Sequence, residues 1–333
     1  DHHAKNRAQK TILSIEDARK NKLKVDWSST QIFEPNQLGV QEITATVDEL
    51  IPYIDWTPFF RTWELHGKYP AILSDEIVGE TARNLFEDAQ AMLEEVKKDA
   101  LLKCKGVVGI FPASAVEDDI EIYNNEDRET VIYTQRTIRQ QTKKTREEPN
   151  LALSDFIAPK DSGRKDYVGA FVVTSGIGID SVVEAYEKNH DDYNSILIKA
   201  IADRLAEAFA EFLHEKVRKE IWGYESSEAL SSEDLIKELY RGIRPAPGYP
   251  ACPDHTEKIG LFEILDASDV TGVNLTESLA MFPTASVAGW YFGNQISKYF
   301  GVGKIGVDQV KSLAERKGIL EERMTTWLSS NIL

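Results

Sequence analysis

Residues 166–174, DYVGAFVVT, carry the clearest strand pattern in the 333-residue chain. Apolar, β-branched and aromatic side chains follow one another along this stretch, a composition that favours a strand. Residues 106–111 are a second candidate for a buried strand. Residues 119–123 alternate between polar and apolar side chains as a half-buried strand does, and residues 130–133 are the predicted hairpin partner. With a strand-like stretch at 39–47, the predicted strands precede most of the predicted helices.

Apolar residues recur with helical spacing in four segments, at 79–99, 192–222, 232–240 and 307–317. The aromatic-rich stretch 54–60 contains Pro58, which predicts a loop and disfavours a helix through Thr57. Strands and helices come in clusters, without regular alternation of strand and helix. This order favours an α+β fold over a doubly wound parallel sheet.

Acidic residues outnumber basic ones, with 55 Asp and Glu against 39 Lys and Arg and a formal net charge of −16. Nucleic acids and anionic membrane surfaces are bound through positive charge, so the balance argues against both partners.

No apolar run reaches the roughly 18 residues of a membrane helix, and no secretory leader pattern opens the sequence. The only cysteines, Cys104 and Cys252, exclude a disulfide scaffold and a four-cysteine zinc site, and we expect a cytoplasmic protein.

The first 21 residues differ from the rest of the chain. They are polar, with one short apolar group at Ile12, Leu13 and Ile15, and we interpret residues 1–21 as an interdomain linker. Because the chain does not begin with methionine, we expect it to be cut from a longer polypeptide. Dense apolar patterning begins near residue 25, which predicts one domain over residues 22–333.

Three short motifs resemble cofactor or metal sites but lack the necessary context. The segment Gly301–Gly306 fits G-x-G-x-x-G, yet too few residues follow it for the strands of a dinucleotide-binding fold. Cys252 and His255 have a metal-like spacing without a second pair of ligands. His214 opens a zincin-like pattern, but Arg218 stands where the second histidine belongs. We therefore predict neither a metal site nor a dinucleotide site.

The most unusual stretch is residues 244–255, RPAPGYPACPDH. Its four prolines fix several backbone angles and remove hydrogen-bond donors, so we expect a loop that holds one shape. The guanidinium of Arg244 suits a carboxylate, and the ring of Tyr249 suits a planar heterocycle. A rigid connector without a ligand fits the same composition, and this alternative stays open.

Together with other segments, this loop resembles the C-terminal activation (S-adenosylmethionine-binding) domain of cobalamin-dependent methionine synthases. The resemblance runs from about residue 25 to residue 328 and is carried by residues 53–60 (YIDWTPFF), 203–208 (DRLAEA), 244–255, 275–278 (LTES) and 297–300 (SKYF). It implies a C-shaped or helmet-like α+β domain, with a twisted antiparallel sheet flanked by helices and no Rossmann-like core. Residues 1–21 would then link this domain to a preceding cobalamin-binding domain.

The function implied by the resemblance is repair of the cofactor. Cobalamin in these enzymes is occasionally oxidised to inactive cob(II)alamin. The activation domain then binds S-adenosylmethionine, and a flavodoxin-type reductase supplies the electron for reductive methylation. Cobalamin and zinc belong to other domains of the full enzyme, so this fragment of a methyltransferase is expected to bind its ligand without turnover of its own. The competing interpretation is a non-catalytic lid that binds the cobalamin domain and recruits the reductase.

The resemblance also implies the residues that contact S-adenosylmethionine, namely Asp55, Arg244, Ala246, Tyr249 and Tyr299, with Phe300 adjacent. Many family members have a second tyrosine at the position of Phe300, so one hydroxyl contact is absent here. Methyl transfer from a sulfonium is a direct displacement that needs no general acid or base. The implied role of the protein is therefore orientation, and no catalytic residue is predicted.

Acidic residues recur every four positions in the helix predicted at 192–222, at Asp203, Glu207, Glu211 and Glu215. Such a row is commonly a solvated face, relieved here by nearby lysines. The resemblance instead places Asp203 and Glu207 near the interface with the cobalamin domain. The basic runs 136–146 and 216–219 are our candidate contacts for the acidic reductase.

Overall fold

The structure, a computed structural model, describes residues 12–144 and 147–333. Its helices are α1 (Ile15–Lys20), α2 (Val47–Leu50), α3 (Thr57–Thr62), α4 (Gly79–Asp99), α5 (Ile179–Lys188), α6 (Asp192–Lys216), α7 (Ser232–Ile236), α8 (Glu257–Leu265), α9 (Ala267–Thr271), α10 (Val307–Lys317) and α11 (Glu321–Trp327). Its strands are β1 (Gly39–Thr44), β2 (Lys103–Val116), β3 (Asp119–Tyr123), β4 (Val131–Arg136), β5 (Asp166–Ile177), β6 (Asn274–Leu275), β7 (Met281–Phe282) and β8 (Ser286–Tyr291).

The main sheet is antiparallel and has the order β4-β3-β2-β5-β8. The long strand β2 also pairs with β1 through residues 105–110, on the same edge that β3 occupies further along. The strands β6 and β7 form a separate two-stranded ribbon. This antiparallel sheet flanked by helices confirms the predicted α+β class.

Both faces of the sheet are buried, which explains why residues 166–174 are apolar almost throughout. On one face Phe171 and Val173 join a core that contains α4 and α6. On the other face Val168, Ala170 and Val172 pack in a core with α8 and α9. Side chains alternate between the two faces of a strand, so a strand that is covered on both sides has no position for a solvated residue.

The predicted elements are confirmed with changes at their ends. The helices at 79–99 and 307–317 have the predicted bounds, whereas the helix predicted at 232–240 ends at Ile236 and α11 was not predicted. The loop prediction for residues 54–60 was wrong in its second half, because α3 begins at Thr57. Pro58 lies in the first turn of that helix, where no backbone N–H is needed and a proline is tolerated.

The described part of the predicted linker lies against the domain. Residues 15–20 form α1, whose Ile15 and Ala18 are buried. The backbone N–H of Ile15 donates to Asp308 at 2.6 Å, and Arg19 pairs with Asp118 at 2.6 Å. The assignment of residues 1–21 as a linker to another domain stays a prediction, and residues 1–11 lie outside the described residues.

Among the described residues, every helix is too short or too polar to cross a lipid bilayer. The cytoplasmic location expected from the cysteine content stays a prediction.

Candidate functional site

Two adjoining cavities lie beside the loop 244–255. The smaller has a volume of about 350 Å³ and the larger about 670 Å³. Glu207, Glu238 and Arg244 line both of them. Asp55 lines the smaller cavity, and the predicted residues Ala246, Tyr249, Tyr299 and Phe300 line the larger one. The fold therefore brings all six predicted ligand residues to one cleft.

Hydrogen bonds within the loop and to β8 hold residues 244–255 in place. The backbone N–H of Gly248 donates to the carbonyl of Cys252 at 2.7 Å, and the N–H of Trp290 in β8 donates to the carbonyl of Pro245 at 2.9 Å. Gly248 has a φ of +94°, and a Cβ there would lie 2.2 Å from Cε1 of His255. Only glycine allows both this backbone angle and the close approach of the imidazole.

Arg244 is the best-anchored residue of the cleft. Its Nη2 lies 2.6 Å from Oε2 of Glu211, its Nη1 lies 3.1 Å from Oε1, and the two side chains are 19% and 12% exposed. Burial alone would lower the pKa of Arg244, but the Glu211 carboxylate raises it on balance. Because the end of the guanidinium faces Glu211, only the edge formed by Nε and Nη2 is left for a ligand. That edge can still hold a carboxylate through two parallel hydrogen bonds.

His214, one turn after Glu211 in α6, completes the support of Arg244. The Nη1 of Arg244 lies 3.0 Å from Nδ1 of His214, and the imidazole stacks on Tyr291 with ring centroids 5.1 Å apart. Since a guanidinium only donates, Nδ1 must be an acceptor, and the ring is neutral. Burial and the charges of Arg218 and Arg244 lower the pKa of His214 well below its ordinary value, in agreement with a neutral ring.

Asp55 projects into the smaller cavity from the turn before α3. Its Oδ1 accepts the backbone N–H of Thr57 at 3.0 Å, which fixes the carboxylate at the start of that helix. No hydrogen bond to a described residue occupies Oδ2. Asp55 thus keeps one oxygen for an ammonium or hydroxyl group of a ligand.

The backbone of Ala246 presents both a donor and an acceptor at the larger cavity. Its carbonyl accepts the N–H of Tyr249 at 3.1 Å, while its own N–H makes no hydrogen bond with the described residues. Tyr249 as a whole residue is 63% exposed. A free N–H beside an exposed aromatic ring is a suitable combination for a planar heterocycle such as adenine.

The acidic row of α6 has three different environments. Glu211 pairs with Arg244, and Glu215 accepts from Tyr53 at 2.9 Å and pairs with Lys219 at 3.2 Å. Glu207 lines both cavities, whereas Asp203 is exposed and lines neither. The row is therefore not a uniform solvated face, because the two acids nearest the C-terminus of α6 have partners within the structure.

The first basic run is largely occupied by internal contacts. Arg136 pairs with Asp119 at 2.7 Å, and Arg139 is fully buried against Asp118 and Asp155. Lys143 is exposed, and the last two residues of the run lie outside the described residues. Two arginines of this run therefore neutralise acids of the fold, and contact of the run with the reductase stays a prediction.

The second basic run is paired as well. Arg218 is fully buried and pairs with Glu228 at 2.6 Å. Lys219 pairs with Glu215 at 3.2 Å, and Lys216 pairs with Glu220 at 3.7 Å. Residues 216–219 therefore do not form a free cationic surface either, and the site of reductase contact stays open.

Sequence reasoning missed Glu211 and Glu238, which line the cavities, and His214 and Tyr240, which contact Arg244. Glu211 and His214 lie 33 and 30 positions before Arg244, so no local spacing marks them. In the described part of the chain, no group of three or more His, Cys, Asp or Glu side chains is placed to hold a metal ion.

The comparisons with known proteins agree with this cleft and this fold. The family model described as "Vitamin B12 dependent methionine synthase, activation domain" matches residues 46–318. The chain belongs to this family. One similar solved structure is the crystal structure of the MetH reactivation domain bound to AdoHcy, with 53% sequence identity and a TM-score of 0.95. The similarity covers 96% of this chain and 98% of that chain.

Membership among the methionine synthase activation domains confirms the family resemblance and the antiparallel α+β architecture implied by it. The residues of the ligand site and of the docking face are still predictions, although the cleft brings the former together.

Proposed function

We propose that this activation domain binds S-adenosylmethionine across the two cavities and presents its methyl group to the cobalamin of the neighbouring domain. The single observation that carries the proposal is the meeting of Asp55, Arg244 and the Ala246–Tyr249 backbone turn in one cleft. The similar reactivation domain was crystallised with AdoHcy, which is the product left when S-adenosylmethionine loses its methyl group.

The size and charge of the cleft fit this ligand. A volume of about 670 Å³ for the larger cavity lies within the range of small-molecule sites. S-adenosylmethionine carries an ammonium, a sulfonium and a carboxylate, a net charge of about +1 at neutral pH. Asp55 and Glu238 supply carboxylates for the two cationic groups, and the free edge of Arg244 supplies donors for the carboxylate.

The residues of this chain would act by orientation. Asp55 and Arg244 hold the amino-acid end of the ligand, while the Ala246 backbone and the Tyr249 ring hold the adenine end. Reduced cobalamin, when present, supplies the nucleophile that accepts the methyl group, with the electron coming from a flavodoxin-type reductase. A ligand held at both ends keeps its central methyl group in a fixed direction, which lowers the entropic cost of the transfer.

Isothermal titration calorimetry with S-adenosylmethionine tests the proposal on the domain alone. We expect one saturable site per chain and much weaker binding of adenosine or methionine, because each makes only half of the contacts. The alternative of a docking lid without a small ligand predicts no saturable heat. Either result separates the two functions.

The proposed contact of α6 with the cobalamin domain predicts an effect of charge reversal. Asp203→Lys should lower the rate of reductive methylation in the full enzyme by about fivefold, the effect of losing about 1 kcal/mol of interdomain contact. Because Asp203 lines neither cavity, the affinity for S-adenosylmethionine should stay unchanged. Glu184→Lys, at an exposed acid of α5, is the matched control.

The same experiment on Glu207 distinguishes two roles. If Glu207 serves docking alone, Glu207→Lys lowers the methylation rate without weakening S-adenosylmethionine binding. Weaker ligand binding by this variant would contradict the docking assignment and place the Glu207 carboxylate on the ligand.

A further inference from the structure

Tyr240 lies behind the larger cavity and connects two residues that line it. Its hydroxyl is 2.9 Å from the hydroxyl of Tyr299 and 3.2 Å from Nη1 of Arg244. The backbone N–H of Arg244 donates to the Tyr299 hydroxyl at 3.0 Å. Tyr240 is 7% exposed and lines neither cavity, whereas Tyr299 is 38% exposed and lines the larger one.

The two hydroxyl groups contain two protons, and the described residues offer an acceptor for only one of them. Arg244 donates to both hydroxyls and can accept from neither. One tyrosine must therefore donate to the other, and the proton of the second hydroxyl has no acceptor among the described residues. Burial raises the pKa of both Tyr240 and Tyr299, so both keep their protons at neutral pH.

The burial of Tyr240 decides the direction of this hydrogen bond. A buried hydroxyl proton without an acceptor is costly, while a proton that faces a cavity can reach water or a ligand. Tyr240 therefore donates to Tyr299, and the proton of Tyr299 points into the larger cavity. The direction follows from the contacts and does not depend on which ligand is bound.

The ring of Tyr240 has little freedom to change this arrangement. Arg218 lies over it with Cζ 4.6 Å from the ring centroid, and Arg244 lies 5.5 Å from the same centroid. The imidazole of His214 meets the ring edge-on, with centroids 4.7 Å apart. Arg218 is itself fixed by Glu228. A phenylalanine at position 240 would keep these ring contacts and lose only the hydroxyl.

We propose that Tyr240 is a positioning residue that fixes the Tyr299 hydroxyl as a hydrogen-bond donor to the bound adenosyl ligand. The inference rests on the proposed function, because it assigns a role to a side chain in the same cleft. The ligand offers acceptors of the required kind in its ribose oxygens, adenine nitrogens and carboxylate. When the Tyr240 hydroxyl is absent, the Tyr299 oxygen keeps only the Arg244 N–H as a donor, and its O–H takes more orientations that must be restricted when the ligand binds.

A double-mutant cycle measured by calorimetry with S-adenosylmethionine tests the proposal. Tyr299→Phe should raise the Kd by about fivefold to tenfold, the effect of one lost hydrogen bond. Tyr240→Phe should raise it by about threefold when Tyr299 is present and have no effect in the Tyr299→Phe background. Tyr123→Phe, which removes a buried hydroxyl bonded to Glu121 in β3, is the control and should leave the Kd unchanged.

The possible outcomes separate this inference from the proposed function. Equal effects of Tyr240→Phe in both backgrounds would overturn the inference, because Tyr240 would then act through Arg244 or through packing. A Tyr299→Phe variant that binds like the wild type would overturn it as well, even if Tyr240→Phe failed to fold. If the wild-type domain binds no S-adenosylmethionine, the proposed function fails first and the inference falls with it.

Discussion

Replacement of Arg244 by alanine is expected to raise the Kd for S-adenosylmethionine by about 100-fold. The guanidinium would supply charge-assisted hydrogen bonds to the ligand carboxylate, each of which contributes about 1.5–3 kcal/mol. The substitution also leaves Glu211 without its counterion inside the cleft, where its negative charge repels the same carboxylate. Calorimetric titration of the isolated domain measures the change directly.

Two further variants make the Arg244 result interpretable. Arg244→Lys keeps the positive charge but cannot bind Glu211 and a ligand through parallel hydrogen bonds, so its Kd should lie between those of the wild type and Arg244→Ala. Arg164→Ala removes an arginine that donates to the carbonyl of Thr30, outside both cavities, and should bind normally. An affinity of Arg244→Ala within about twofold of the wild type would remove Arg244 from the ligand site.

Replacement of Arg139 by methionine is expected to lower the free energy of unfolding by about 3–5 kcal/mol, the effect of breaking a buried ion pair. The guanidinium is 0% exposed and meets Asp118 at 2.6 Å and Asp155 at 2.7 Å. It also donates to the carbonyl of Asn150 at 2.7 Å. Methionine fills similar volume but leaves the buried Asp155 without a cation and Asp118 with Arg19 alone. Chemical denaturation of the wild type and the variant measures the difference.

The pH dependence of the stability lost in Arg139→Met tests whether the buried ion pair is its cause. Burial alone would raise the pKa of Asp118, but Arg139 and Arg19 hold it below the ordinary value of 3.8. The stability gained from this pairing is therefore present at neutral pH and is lost as the pH falls through the folded-state pKa of Asp118. The difference in the free energy of unfolding between wild type and Arg139→Met should become smaller below pH 3.8, the ordinary pKa of an aspartate. Lys143 is an exposed residue of the same basic run, and Lys143→Met should have the same free energy of unfolding as the wild type.

The sequence was sufficient to predict the helices and strands whose spacing of apolar side chains is a local pattern. The helical periodicity of residues 79–99 and the alternation at 119–123 depend only on neighbouring side chains, so these elements were predicted with their bounds. Short helices where the chain turns were harder to predict from the sequence. Residues 57–62 form a helix that tolerates Pro58 in its first turn, and the same proline had been interpreted as the mark of a loop.

The sequence by itself determined the family, the α+β class and the six residues that meet in the cleft, because a proline-braced loop and several short segments resemble one family specifically. It did not determine what each charge does. Glu211 is the counterion of Arg244 although 33 positions separate them, and Arg139 of the basic run 136–146 is buried between two aspartates. Only the tertiary structure decided these roles, because an ion pair depends on which elements pack together and not on the spacing of residues along the chain.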